Sequence, residues 1–152
     1  VIVKYYKDAL RWYFPESTKA YHIVELSHSS MLPFSKAFEI TPEKNNDDEL
    51  DLQVGLHQYI YNVGDEDIKL NWQTKNTVKH DVLKSGDSAY VKPNIPHNFR
   101  GKGKLMVLRI AGRIPGDAQR ELSSFEKNDA HRAISEATTW FDKGKALRKK
   151  IR

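Results

Sequence analysis

The chain has 152 residues, no cysteine and a formal net charge of +5, with 39% hydrophobic and 30% charged side chains, which fits one soluble globular domain. Without cysteine there is neither a disulfide framework nor a thiolate metal site, so any metal would take His, carboxylate or amide ligands. No apolar run approaches the ~20 residues of a membrane span, and the basic excess, gathered at 100–104 and 143–152, reads as a hairpin and a solvated helix end rather than a nucleic-acid groove.

Residues 3–14 are aromatic-rich and read as a short helix stopped before Pro15, because the residue preceding a proline disfavours the α region. No long apolar core or small-residue cleavage site marks this start as a signal peptide. Residues 21–26 (YHIVEL) and 34–40 read as strands. Residues 42–49 (PEKNNDDE) form a polar loop.

Residues 50–63 alternate. Leu50, Leu52, Val54, Leu56 and Ile60 share one face; Asp51, Gln53, Gly55, His57, Tyr59 and Tyr61 share the other. Sizeable side chains on both faces suit a strand of a closed or two-layer β structure. Gly64-Asp65-Glu66-Asp67 turns the chain, and strands are expected at 68–72 and 78–83.

Residues 86–99 read GDSAYVKPNIPHNF. A Gly-Asp turn leads into a strand at 88–92, and Pro93 and Pro96 then fix φ and withhold N–H groups, so the corner is stiff and ends the ladder. His97 stands directly behind the second proline on this rigid backbone. Lys102-Gly103-Lys104 is a hairpin turn, and 105–111 (LMVLRIA) is the most apolar strand. Short strands with turn signals every 8–12 residues argue for an antiparallel barrel or sandwich.

The end of the chain differs. Ser123-Ser124-Phe125-Glu126 has capping-box spacing, and Ala130, Ala133, Ile134, Ala137, Trp140 and Phe141 recur at helical spacing. One amphipathic helix is expected, its Trp140–Phe141 stripe packing on the β domain or on a partner. The organisation is thus an N-terminal helical segment (1–20), a β-barrel (21–122) and a C-terminal helix (123–152).

The order of parts, a histidine-bearing strand followed by the Gly86 to Phe99 corner, resembles the two motifs of the cupins, a fold of antiparallel β-barrels. Together with LMVLRIAGRIPGDAQRELSSF at 105–125, it is similar to the phosphonate-processing non-heme iron cupins, the hydroxyethylphosphonate dioxygenase and methylphosphonate synthase group. Proteins of that group are longer and resemble tandem repeats, so this chain, which begins without Met, is expected to be one repeat, the C-terminal one, associating with a companion repeat or with itself.

The resemblance implies an Fe(II)-dependent oxygenase that cleaves a carbon–carbon bond of a small phosphonate such as 2-hydroxyethylphosphonate with O2, in a cytoplasmic setting. The iron would be held by His57, His97 and Gln53, the last a neutral amide where the family has Glu or Gln. Asp51 and His80 are weaker ligand candidates. Arg109, Lys92, Asn98, Tyr59 and Tyr61 would contact substrate. Two other readings stay open: a metal-free degenerate cupin serving as a structural, oligomerisation or small-anion module, and a sugar-phosphate isomerase working by acid–base chemistry through a His–carboxylate pair.

Overall fold

The computed structural model describes residues 1–111. Burial alternates with a period of two along most strands, and that alternation decides what faces inward. The strands are β1 (Arg11–Phe14), β2 (Tyr21–Glu25), β3 (Ser35–Pro42), β4 (His57–Asn62), β5 (Ile68–Gln73), β6 (Val78–Leu83), β7 (Ser88–Val91), β8 (His97–Gly101) and β9 (Leu105–Ile110). They form a six-stranded sheet, ordered β1-β2-β3-β9-β4-β7, and a three-stranded sheet, ordered β6-β5-β8, antiparallel throughout. Phe38, Ile40, Ile60, Leu105 and Val107 from the large sheet join Ile68, Leu70 and Phe99 from the small one in a single buried cluster.

Two expectations are corrected. The N-terminal helix reduces to one 3-10 turn, Tyr6–Asp8, followed by β1. Trp12 and Phe14 are both buried. On a helix, residues two apart point to nearly opposite sides, whereas a strand turns both toward the core. β1 then pairs with β2 from Arg11↔Val24 to Phe14↔Tyr21, so the first residues belong to the sheet. The expected closed barrel is instead two sheets, hydrogen-bonded separately. One isolated bridge, Leu52↔His97, pins the segment before β4 to β8 of the small sheet, with two backbone bonds of 2.9 Å each. The expected C-terminal helix lies outside the described residues.

That bridge also divides the long alternating run. Residues 50–56 lie against the small sheet, and only from His57 does the chain join the large one. The segment before it is fixed over the outer face of β8 by Arg100, a buried side chain. The guanidinium donates to Asp47 Oδ1 at 2.7 Å, Asp51 Oδ2 at 2.9 Å, the Glu49 carbonyl at 3.0 Å and the Tyr21 hydroxyl at 2.7 Å. Tyr21 in turn donates to Asp51 Oδ1 at 2.6 Å. Burial, and next the Asp51 carboxylate, push the Tyr21 phenol well above its usual range, so it stays a proton donor. Arg100 was expected on a solvated basic hairpin. Its place on β8, covered by 47–51, makes it a structural clamp.

Candidate functional site

The large sheet presents a polar row to the interior at one end. Register sets Lys36 beside Arg109, and Arg109 beside Gln58. All three occupy inward positions of their strands, where parity would otherwise place apolar residues such as Phe38, Val107 and Ile60. Glu25 answers Lys36 with a 2.9 Å ion pair. From the opposite sheet His97 enters the same interior, fully buried, its ring edge-on to Phe99.

The backbone that delivers His97 is held on three sides. Gln73 N–H donates to the Pro96 carbonyl at 2.9 Å, and Asn94 N–H donates to the Val54 carbonyl at 2.7 Å. The Leu52 bridge supplies the third. Asn94 sits at φ 65°, a left-handed conformation that Asn tolerates better than most residues.

Hydrogen bonding fixes the state of the ring. His97 Nδ1 lies 2.7 Å from the Ile95 carbonyl, which only accepts, so Nδ1 carries the proton. Nε2 of the neutral ring therefore offers a lone pair, and Gln58 Nε2 donates to it at 3.1 Å. The other end of the amide, Gln58 Oε1, accepts from Arg109 Nε at 3.0 Å. The Arg109 guanidinium also lies 5.1 Å from the centre of the Phe38 ring. The proton order Arg109 to Gln58 to His97 to Ile95 leaves no alternative amide orientation, since turning it would set two donors against each other. Burial first, with the Arg109 charge adding to it against the Ile95 bond, pushes His97 down to about 4.

The residues expected at a metal site do not meet. His57 is on the outer face of β4, where Nδ1 bonds the Tyr90 hydroxyl and the two rings stack. Gln53 donates to the Asn94 carbonyl at 3.1 Å. His97 is inside. The inward parity of this segment is carried by even-numbered residues, so the side chain that reaches His97 is Gln58. Asp51 serves the Arg100 clamp. His80 bonds Asn71 on the outer side of the small sheet.

The expected substrate contacts also separate. Arg109 is inside. Asn98 faces out of β8 and holds the loop, donating to the Glu49 carbonyl at 2.8 Å and accepting from Asn71 at 2.7 Å. Tyr59 and Tyr61 lie exposed on the outer face of β4. Lys92 is exposed at the rim of a cleft of about 450 Å³ between β6 and β7, with Trp72, Leu83 and Ile95 in its walls.

A divalent metal does not fit this interior. Both ring nitrogens of His97 are engaged, and a cation at Nε2 would displace Gln58 and face Arg109. Among the described residues no group of three or more His, Asp or Glu side chains is arranged to hold a metal. No helix among them is long and apolar enough to cross a membrane.

Two antiparallel sheets with a proline corner delivering a histidine to their interior define a mainly-β fold shared with solved phosphonate enzymes. No family model matches the chain. Over 142 residues, 93% of this chain and 31% of its relative, it is 51% identical to methylphosphonate synthase of Nitrosopumilus maritimus (strain SCM1). Among solved structures it is similar to Streptomyces albus HEPD with 2-hydroxyethylphosphonate and Fe(II) bound, at TM-score 0.68 and 26% identity, covering 89% of this chain and 31% of that one. Hydroxypropylphosphonic acid epoxidase from S. wedmorenis shares the fold at TM-score 0.61 and 17% identity, over 72% of this chain and 59% of that one. The resemblance to the hydroxyethylphosphonate dioxygenase and methylphosphonate synthase group is therefore one of sequence as well as fold. The chain spans about a third of the length of the curated relative that it matches.

Proposed function

We propose that this chain is one repeat of an Fe(II)-dependent oxygenase acting on a small phosphonate such as 2-hydroxyethylphosphonate, and that its role there is structural: it completes the enzyme without ligating the iron. The 51% identity to methylphosphonate synthase carries the assignment to this activity. The Arg109–Gln58–His97 order supports the division of labour, because it fills the interior with a closed hydrogen-bonded chain where a metal would need free lone pairs. In the assembled enzyme, Fe(II) would supply open coordination positions for the phosphonate and O2, held by a companion repeat.

A chimaera tests this. This chain replaces the matching segment of methylphosphonate synthase, and the product is followed by phosphorus NMR with Fe(II), O2 and 2-hydroxyethylphosphonate. Turnover to methylphosphonate is expected. A soluble, iron-replete chimaera that leaves the substrate untouched overturns the reading.

A further inference from the structure

Two strand edges of this fold stand open beside one another. β6 and β7 follow each other through the turn at 84–87, yet they belong to different sheets and do not pair. Register shows what each edge offers. Thr74 N–H donates to the Thr77 carbonyl at 2.8 Å, and bonded pairs recur at every second residue of an antiparallel ladder. Lys79 and Asp81 therefore bond β5, while the backbone groups of Val78, His80 and Val82 point away from it. Asn62 N–H donates to the Asp87 carbonyl at 3.0 Å, which by the same rule leaves the backbone groups of Ser88 and Tyr90 on the free edge of β7. Between the two edges lies the cleft of about 450 Å³, with Leu70, Trp72, Leu83 and Ile95 as its apolar floor and Asp81 in its wall. Asp81 Oδ1 accepts from Val82 N–H at 2.8 Å, which fixes the carboxylate there. An unpaired edge beside an apolar floor is the form of a site that takes an extended strand.

The chain carries such a strand at the far side of the large sheet. Residues 1–6 read VIVKYY, a β-prone run. Ile2, Val3 and Tyr5 are 56%, 67% and 66% exposed, and Tyr5 has extended backbone. Among the described residues, 1–4 have no hydrogen-bonding or ion-pair partner.

We propose that residues 1–6 of a second copy lie in this cleft as a strand added to β7, and that the exchange is mutual. Alternation puts Ile2 and Lys4 on one face of the arm, so Ile2 meets the apolar floor and Lys4 meets the Asp81 carboxylate. Neither Lys4 nor Asp81 has an ion-pair partner among the described residues. The chain's own arm cannot serve. It leaves from β1, at the opposite edge of the large sheet from β7, five strand spacings or about 24 Å away. From Tyr6 to Arg11 the chain spans at most about 17 Å, and the 3-10 turn Tyr6–Asp8 shortens that reach.

Sedimentation velocity of the full chain tests the exchange. Wild type should run as a dimer. Lys4→Glu brings two carboxylates together and Asp81→Lys two ammonium groups, so each variant alone should self-associate about tenfold more weakly or worse. Mixed, the two variants should dimerise again, because each arm then meets a cleft of opposite charge. That rescue requires arm and cleft to come from different copies, and a misfolded variant cannot give it. A wild-type monomer overturns the proposal. So does a dimer that neither charge reversal weakens, which would put the contact on another face, such as that of Tyr59 and Tyr90. Variants that are weakened singly and not recovered by mixing overturn it as well.

Discussion

Gln58 Nε2 stands 3.1 Å from His97 Nε2, and the bond between them runs from the amide to the ring. The direction is dictated from both ends. The Ile95 carbonyl takes the only proton of the neutral imidazole, and Arg109 can only donate to the amide oxygen. His97 is thereby held neutral, with both ring nitrogens engaged.

Gln58→Glu should reverse that state. The introduced carboxylate still accepts from Arg109, but it has no proton to give His97 Nε2. It favours the imidazolium instead, raising His97 from about 4 by about 1–3 units. Histidine resonances followed by NMR across pH give the value directly. A ring that still titrates near 4 would show that Gln58 does not set its state. Gln58→Leu removes both bonds and should cost about 3 kcal/mol in urea unfolding.

Stability should depend on pH through the same ring. A buried histidine held down to about 4, against an ordinary 6.5, means that the unfolded chain binds the proton first. The stabilising contribution is complete above pH 6.5, and it is lost as pH falls from 6.5 toward 4. The loss is on the order of 3 kcal/mol, at ~1.4 kcal/mol per unit. Below that window the Asp47 carboxyl, held down chiefly by Arg100 against its own desolvation, adds a further decline. His97→Gln should be less stable at neutral pH yet flat between 6.5 and 4. A wild-type profile equally flat there would be inconsistent with a neutral, buried His97.

Much of this fold is legible in the sequence, and the limits have physical causes. Alternation finds β2, β3, β5, β7 and β9 to within two residues, because each has one face in the core, and β6 likewise, although Leu83 is its one buried residue. It also marks Leu52, Val54, Leu56 and Ile60 as inward. Gln58 shares their even parity, and an amide on a core face is a signal that it has a buried partner; attention to His57 and Gln53 hides it. The division of 50–63 between two sheets is not readable locally, since it depends on the Leu52↔His97 bridge. Arg100 is likewise opaque. Its carboxylate partners lie 49 and 53 residues away, and a basic stretch beside glycines reads as solvated surface until the covering loop is seen.

Arg100→Leu should rank among the most damaging single changes. It leaves the Asp51 carboxylate buried without its cation and removes a bond from Tyr21. Losing one member of a buried ion pair costs about 3–5 kcal/mol. Adding Asp51→Leu should recover part of that loss, because two apolar side chains need no counter-charge. Chemical denaturation of both variants measures the difference, and hydrogen exchange at Asn98 and Glu49 should rise in each as the loop loosens. A single variant within about 0.5 kcal/mol of wild type would show that the clamp is dispensable.

Iron uptake separates the two roles a repeat can have. If His97 were a ligand, His97→Ala would lower bound Fe(II) in an anaerobic titration, since metal affinity rests on each donor. The structure gives the opposite expectation. His97 Nδ1 is bound to Ile95, Nε2 is bound to Gln58, and the nearest fixed charge along that chain is the Arg109 guanidinium, which repels a dication. His57 stands on the other side of the sheet with Tyr90. Wild type and His97→Ala should therefore take up the same amount of iron, and His57→Ala should match them. In the chimaera with methylphosphonate synthase, the iron content should be equally indifferent to His97→Ala, while thermal stability falls. Iron lost in step with His97 would place the ring in the coordination sphere and overturn the structural role assigned to this repeat.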